Sequence, residues 1–169
     1  MERCSSRIDF NSTGPNQFRA RATGGFFFYT SIHADGTPNL GARLASGASA
    51  WSTLSDRNAK TAIEPVDVQI ILDAVIDLPI NTWQYKTEGA AVRHMGPMAQ
   101  DFSAAFGLGD DDKTISTVDP DGVALAAIQG LNAKLEAELA ALRVERVAQG
   151  DEIAAMRRDL DALLVAGRR

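Results

Sequence analysis

A heptad repeat in the last third of the chain constrains the fold more than any other feature. With Leu125 at position a, the a positions are Leu125, Asn132, Leu139, Arg146, Ile153 and Leu160. The d positions are then Ile128, Leu135, Leu142, Gln149, Met156 and Leu163. Nine of these twelve are aliphatic or Met, and Ala, Glu and Arg crowd the positions between. Such spacing, sustained for about six heptads, marks a coiled coil rather than a helix on a globular surface. A seam of this kind needs a partner, so residues 123–166 predict an oligomer. Asn132 is a polar a residue of the type that fixes register, and Arg146, Gln149 and Gly150 form a polar patch at mid-helix. The mixed Leu and Ile layers fit a dimer or a trimer.

The chain ahead of the repeat changes character twice. Residues 1–54 are rich in Gly, Ser, Thr and Ala. Phe18, Ala20 and Ala22, then Phe26 and Phe28 after Gly24-Gly25, alternate in part, which predicts short strands with a turn at the glycine pair. Asp35-Gly36 and Pro38-Asn39 predict a second turn. No helix is expected here, and so short a β segment builds a thin core that needs partner chains. Between Pro65 and Pro79, Val68, Ile71, Leu72, Val75 and Leu78 fall on one face of a helix. "INTWQYKT" alternates as a strand with Trp83 and Tyr85 on one side. "GPMAQDFSAAFG" predicts a short helix from about Met98, with Phe102 and Phe106 one turn apart and Gly107 as its C-cap. The acidic run Asp110-Asp111-Asp112 lacks the spacing and closing Glu of a calcium loop. The fold class expected is α+β: a β-strand stem over 1–54, a mixed α/β core over 55–121, and a long coiled-coil helix over 122–169.

Composition narrows the function. Seventeen Lys+Arg against 22 Asp+Glu give a net charge of -5. That argues against non-specific nucleic-acid binding, which needs a basic face. No apolar run approaches the roughly 20 residues that span a bilayer, and the first ten residues lack the apolar core of a secretory signal. The single cysteine, Cys4, allows no intrachain disulfide. Cofactor and metal motifs are missing: the glycines follow no phosphate-loop pattern, and His33 and His94 have neither metal spacing nor a nucleophile elbow. Both histidines read as surface or structural residues.

That leaves Ser55 and Lys60, in "WSTLSDRNAK". A serine hydroxyl becomes a useful nucleophile only when a base takes its proton. A lysine can be that base if burial or neighbouring positive charge favours its neutral amine, and Arg57 offers such charge. The spacing alone is uninformative. Ser55 or Asp56 capping a turn, with Lys60 in water, explains these residues equally well.

The wider pattern is more specific. "LSDRNAK", then "WQYK", then "GPMAQDF", then a helix with "AAIQGLNAKLEAEL" resemble, in order and spacing, the intramolecular chaperone auto-processing domain. That domain ends phage tail spikes, tail fibres, endosialidases and some cellular relatives. The likeness spans about residues 51–145. The resemblance implies a homotrimer that helps its own N-terminal β-rich passenger to fold and then cuts itself off, once and in cis. It implies cleavage of the Leu54-Ser55 bond, with Ser55 as nucleophile, Lys60 as its base, and Asp56 and Arg57 in support. No cofactor, metal, nucleic acid or membrane is expected from the residues, and the resemblance implies a setting on a phage fibre or a bacterial surface. Ala59 stands where the family commonly has a large apolar residue, and Pro97-Met98 where an aromatic or aliphatic pair is frequent. The alternatives are a trimerisation module of the same fold that never cuts, and a carbohydrate-binding fibre tip.

Overall fold

The computed structural model describes residues 13–166; Cys4 and the start of the expected stem lie outside them. The chain divides into two compact units, Met1–Glu64 and Pro65–Arg169. The α+β class is as expected.

The first unit is a three-stranded antiparallel sheet of β1 (Gly25–Ile32), β2 (Pro38–Ala45) and β3 (Ser52–Thr53), in that order. Gly25 opens β1 at φ 107 and closes a turn by donating to Ala22 O at 3.0 Å. The β1–β2 turn is built by Asp35, whose carboxylate accepts from the Thr37 hydroxyl at 2.6 Å and the Thr37 N–H at 2.9 Å. Those two bonds, the hydroxyl foremost, hold the Asp35 carboxyl below its usual range. Gly36 supplies the φ of 83 that the turn requires. Phe26 pairs with Leu44 and Phe28 with Ala42, so these four share one face. Phe28 also meets Trp51, ring centres 5.6 Å apart. Phe27 and Tyr29 stack at 6.3 Å on the other face. Phe27, Phe28, Tyr29 and Trp51 all stay exposed, so each face of this sheet is apolar and uncovered in the single chain. Residues 17–22 are not a strand. The alternation of Phe18, Ala20 and Ala22 is real, but alternation is a side-chain preference and makes a strand only where a neighbour completes a ladder.

The second unit holds α1 (Val68–Asp77), β4 (Asn81–Trp83), β5 (His94–Gly96), α2 (Ala99–Phe106) and α3 (Val118–Ala166). Asp67 caps α1, accepting from the Gln69 and Ile70 N–H groups at 2.9 and 3.3 Å. Pro79 lies just past its end, as the sequence indicates. Gly107 caps α2 in the left-handed region at φ 62, and its N–H reaches Ser103 O at 2.8 Å. Phe102 and Phe106 lie 4.9 Å apart, and Phe102 is buried. The strand around Trp83 is shorter than the alternation suggests: only Asn81–Trp83 pairs, against β5.

Helix α3 starts at Val118, some residues before the point the heptads mark. Pro120 fits its first turn, where the missing N–H has no intrahelical acceptor anyway. Asp119 and Asp121 put negative charge at the positive end of the helix. One stripe of α3, Val123, Ala127 and Gly130, packs on α1 around Leu72. The approach is close. A Cβ on Gly130 would lie 2.3 Å from Val68 O, and the Gly130 carbonyl accepts from Gln69 Nε2 at 2.7 Å. The heptad stripe is a different one. Leu125, Ile128, Leu135, Leu139, Leu142, Ile153, Met156, Leu160 and Leu163 are all exposed. Leu72, Phe102, Val123 and Ala127 are the only buried apolar residues among those described.

Candidate functional site

The segment that follows β3 turns sharply. Asp56 is extended, at φ -68 and ψ 133, and a single 3-10 turn follows over Arg57–Ala59. Ala59 N–H donates to Asp56 O at 3.1 Å, and Lys60 N–H to Arg57 O at 3.2 Å. The Asp56 carboxylate accepts from the Asn58 N–H at 2.9 Å and from Asn58 Nδ2 at 3.2 Å. Lys60 leaves the turn extended, at φ -119 and ψ 151. A serine and a lysine five residues apart are thereby folded back on each other. Lys60 Nζ donates to Ser55 Oγ at 2.8 Å.

Leu54 and Ser55 border an open groove of about 290 Å³ on the sheet. Phe27, Tyr29, Leu40 and Arg43 form its floor and sides. Residues 51–60 are exposed throughout, including Leu54, Ser55 and Lys60. No carboxylate among the described residues lies within 4.0 Å of the Lys60 amine; the one ion pair among them joins His94 and Glu88. Arg57 sits within the turn, exposed. The contact can transfer a proton between a hydroxyl and an amine when the amine is neutral, and the Leu54 carbonyl is one residue away in the chain.

The histidines lie elsewhere. His33 is at the start of the β1–β2 turn, accepting from Gly36 N–H and donating its own N–H to Thr37 O. His94 pairs with Trp83 across β4 and β5 and stacks on its ring at 4.6 Å. Its Nε2 meets the Glu88 carboxylate at 3.0 Å. Tyr85 N–H donates to the same carboxylate at 2.9 Å. That backbone bond, with the His94 contact added, holds the Glu88 carboxyl below its usual range. The Trp83 indole N–H is buried with no hydrogen-bond partner among the described residues. Sequence reading missed this cluster, because "HMG" alone is too short to show as a strand and only the pairing Trp83 with His94 reveals it.

The acidic loop is structural. Asp111 accepts from the Lys113 and Thr114 N–H groups, both at 2.8 Å, which with the Thr114 hydroxyl lowers its carboxyl from the ordinary value. Among the described residues no cluster of His, Cys, Asp and Glu could hold a metal, and no helix is long and apolar enough to cross a membrane.

Residues 55–107 match the model of a peptidase family described as chaperone of endosialidase. The match runs from Ser55 to Gly107, the cap of α2, and takes in the Ser55–Lys60 turn, α1, the β4–β5 hairpin and α2. It covers about a third of the chain. No curated protein and no solved structure matches the chain.

Proposed function

Since residues 55–107 match the model of the chaperone-of-endosialidase family, we propose that this chain is a homotrimeric intramolecular chaperone that assists its N-terminal β segment and then severs itself at Leu54-Ser55. The observation that carries the reading is the 2.8 Å contact between Lys60 Nζ and Ser55 Oγ beside that bond.

The chemistry follows from the position of the nucleophile. Neutral Lys60 takes the Ser55 hydroxyl proton, and Oγ attacks the Leu54 carbonyl carbon. The Leu54-Ser55 C–N bond breaks, and the leaving α-amine of Ser55 takes the proton back from Lys60. The acyl group now sits on Oγ as an ester, so both halves remain joined. Water then attacks the ester, giving the Leu54 carboxylate and restoring the Ser55 hydroxyl. One peptide bond and one water are consumed. The groove lined by Phe27 and Tyr29 leaves the bond open to that water.

Assembly supplies what a single chain lacks. Ser55 and Lys60 are exposed here, whereas a lysine base works best out of water. Association through the exposed α3 seam brings three stems together at high effective concentration and in register. Cutting afterwards uncouples the stem from the element that assembled it and leaves it kinetically trapped.

A denaturing gel of the full chain beside Ser55→Ala and Lys60→Ala tests this. Wild type should give residues 1–54 and 55–169 as two bands, and both variants one 18.1 kDa band. An intact wild type sinks the reading. The exposure of Ser55 and Lys60 favours one alternative, the same module acting as a clamp that never cuts. Light scattering checks the trimer in either case, since a monomer at micromolar concentration would refute both.

A further inference from the structure

We propose that Asp56 and Asn58 are positioning residues for the Ser55–Lys60 pair, an inference that rests on the autoproteolytic reading above. Five extended residues would carry Lys60 about 17 Å from Ser55, beyond the reach of its side chain. What returns it is one 3-10 turn held by two backbone bonds of 3.1 and 3.2 Å. A turn that short, exposed to water on all sides, is marginal by itself. The Asp56 carboxylate completes it by accepting both the backbone and the side-chain N–H of Asn58. This clamp closes the loop whose two ends are Ser55 and Lys60.

The clamp has a second effect. Asp56 and Glu64, each four residues away, are the carboxylates nearest in sequence to Lys60, and a carboxylate beside an amine favours the charged ammonium, which cannot accept a proton. Asn58 occupies Asp56 with its two donors, and Lys60 makes no ion pair among the described residues. Its amine is directed to Ser55 instead. Asn58 therefore separates a negative charge from the base while using that charge to shape the turn.

The test is a cleavage time course of the full chain made by cell-free synthesis, run across a series of pH values. Wild type is compared with Asp56→Ala, Asp56→Asn and Asn58→Ala, each checked for oligomeric size. Asp56→Ala should cut about five- to tenfold more slowly, as expected for a lost cap. Asp56→Asn keeps the accepting oxygen and should restore the wild-type rate, with its pH–rate profile unmoved. Asn58→Ala should be slow, with its profile moved to higher pH because Asp56 is released toward Lys60. Asp56→Ala or Asn58→Ala cutting at the wild-type rate would overturn the proposal, as would an Asp56→Asn chain as slow as Asp56→Ala. A wild type that never cuts would overturn the autoproteolytic reading itself, which keeps the two failures apart.

Discussion

The sheet of the first unit and helix α3 of the second are both unfinished in the single chain, but in different ways. The sheet has aromatic residues exposed on both faces, and its strands pair residues as far apart as Gly25 and Ala45. Its contacts come late, because the intervening loop must be closed first. Helix α3 satisfies its backbone locally, from one turn to the next, and leaves its heptad side chains exposed. One region needs help to find its register; the other carries its register in its own repeat. That asymmetry is the physical case for joining them in one chain, and it suits the proposed order of assembly, helix first and sheet second.

The largest expected effect comes from removing the helix's half of the comparison. Leu135→Asp with Leu142→Asp places charge in two d layers, costing about 4 kcal/mol or more per chain if the seam is buried by other copies. Sedimentation should then show a monomer, and cleavage should slow at least tenfold. A chain that stays trimeric would move the seam off the heptads. Next come two glycines, one in each unit, each at a close backbone approach. A Cβ on Gly41 would meet Phe28 O at 2.1 Å, and one on Gly130 would meet Val68 O at 2.3 Å. Either alanine should cost about 1–3 kcal/mol by overpacking, but alanine returns about 1 kcal/mol of helix propensity at Gly130 alone. Gly41→Ala should therefore be the more damaging. Trp51 and Trp83 lie in different units, so thermal melts of the single-tryptophan chains read the two losses separately.

A smaller effect concerns acid. The Glu88 carboxyl is depressed in the folded chain, so its contribution is present above the ordinary 4.5 and is lost as pH falls through the lower folded value. Glu88→Gln should remove that acid-side loss from the Trp83 signal and leave the Trp51 signal unchanged. The smallest effect is at Ala62, which has φ 50, an uncommon value for a residue with a side chain. Ala62→Gly should stabilise the first unit by about 1 kcal/mol, measured as a higher melting point of the Trp51 signal.

Periodic features were the legible ones. The heptads, the α1 stripe and the Phe102–Phe106 pair with Gly107 behind it could be read because each repeats a geometric period or ends one. Asp119-Pro120-Asp121-Gly122 lies largely ahead of the expected helix yet forms the first turns of α3, because proline and acidic residues suit a helix start. Phe18, Ala20 and Ala22 show a strand's alternation without a strand, since alternation records a preference and pairing requires a neighbour. At the site, Ser55 and Lys60 could be nominated, but their contact depends on the Asp56–Asn58 clamp. That clamp is built from side-chain bonds two residues apart, and such bonds have no periodic trace.

The nearness of Lys60 to Ser55 has one more consequence, for what remains after the proposed cut. Ser55 then begins a new chain, and its freed α-amine lies one residue's width from the hydroxyl that Lys60 touches. A site that began with one amine would hold two, and two cations side by side repel. Reconnecting the chain would require both to be discharged at once. The product would thus act as a ratchet tooth, recording in its own terminus that assembly had been completed.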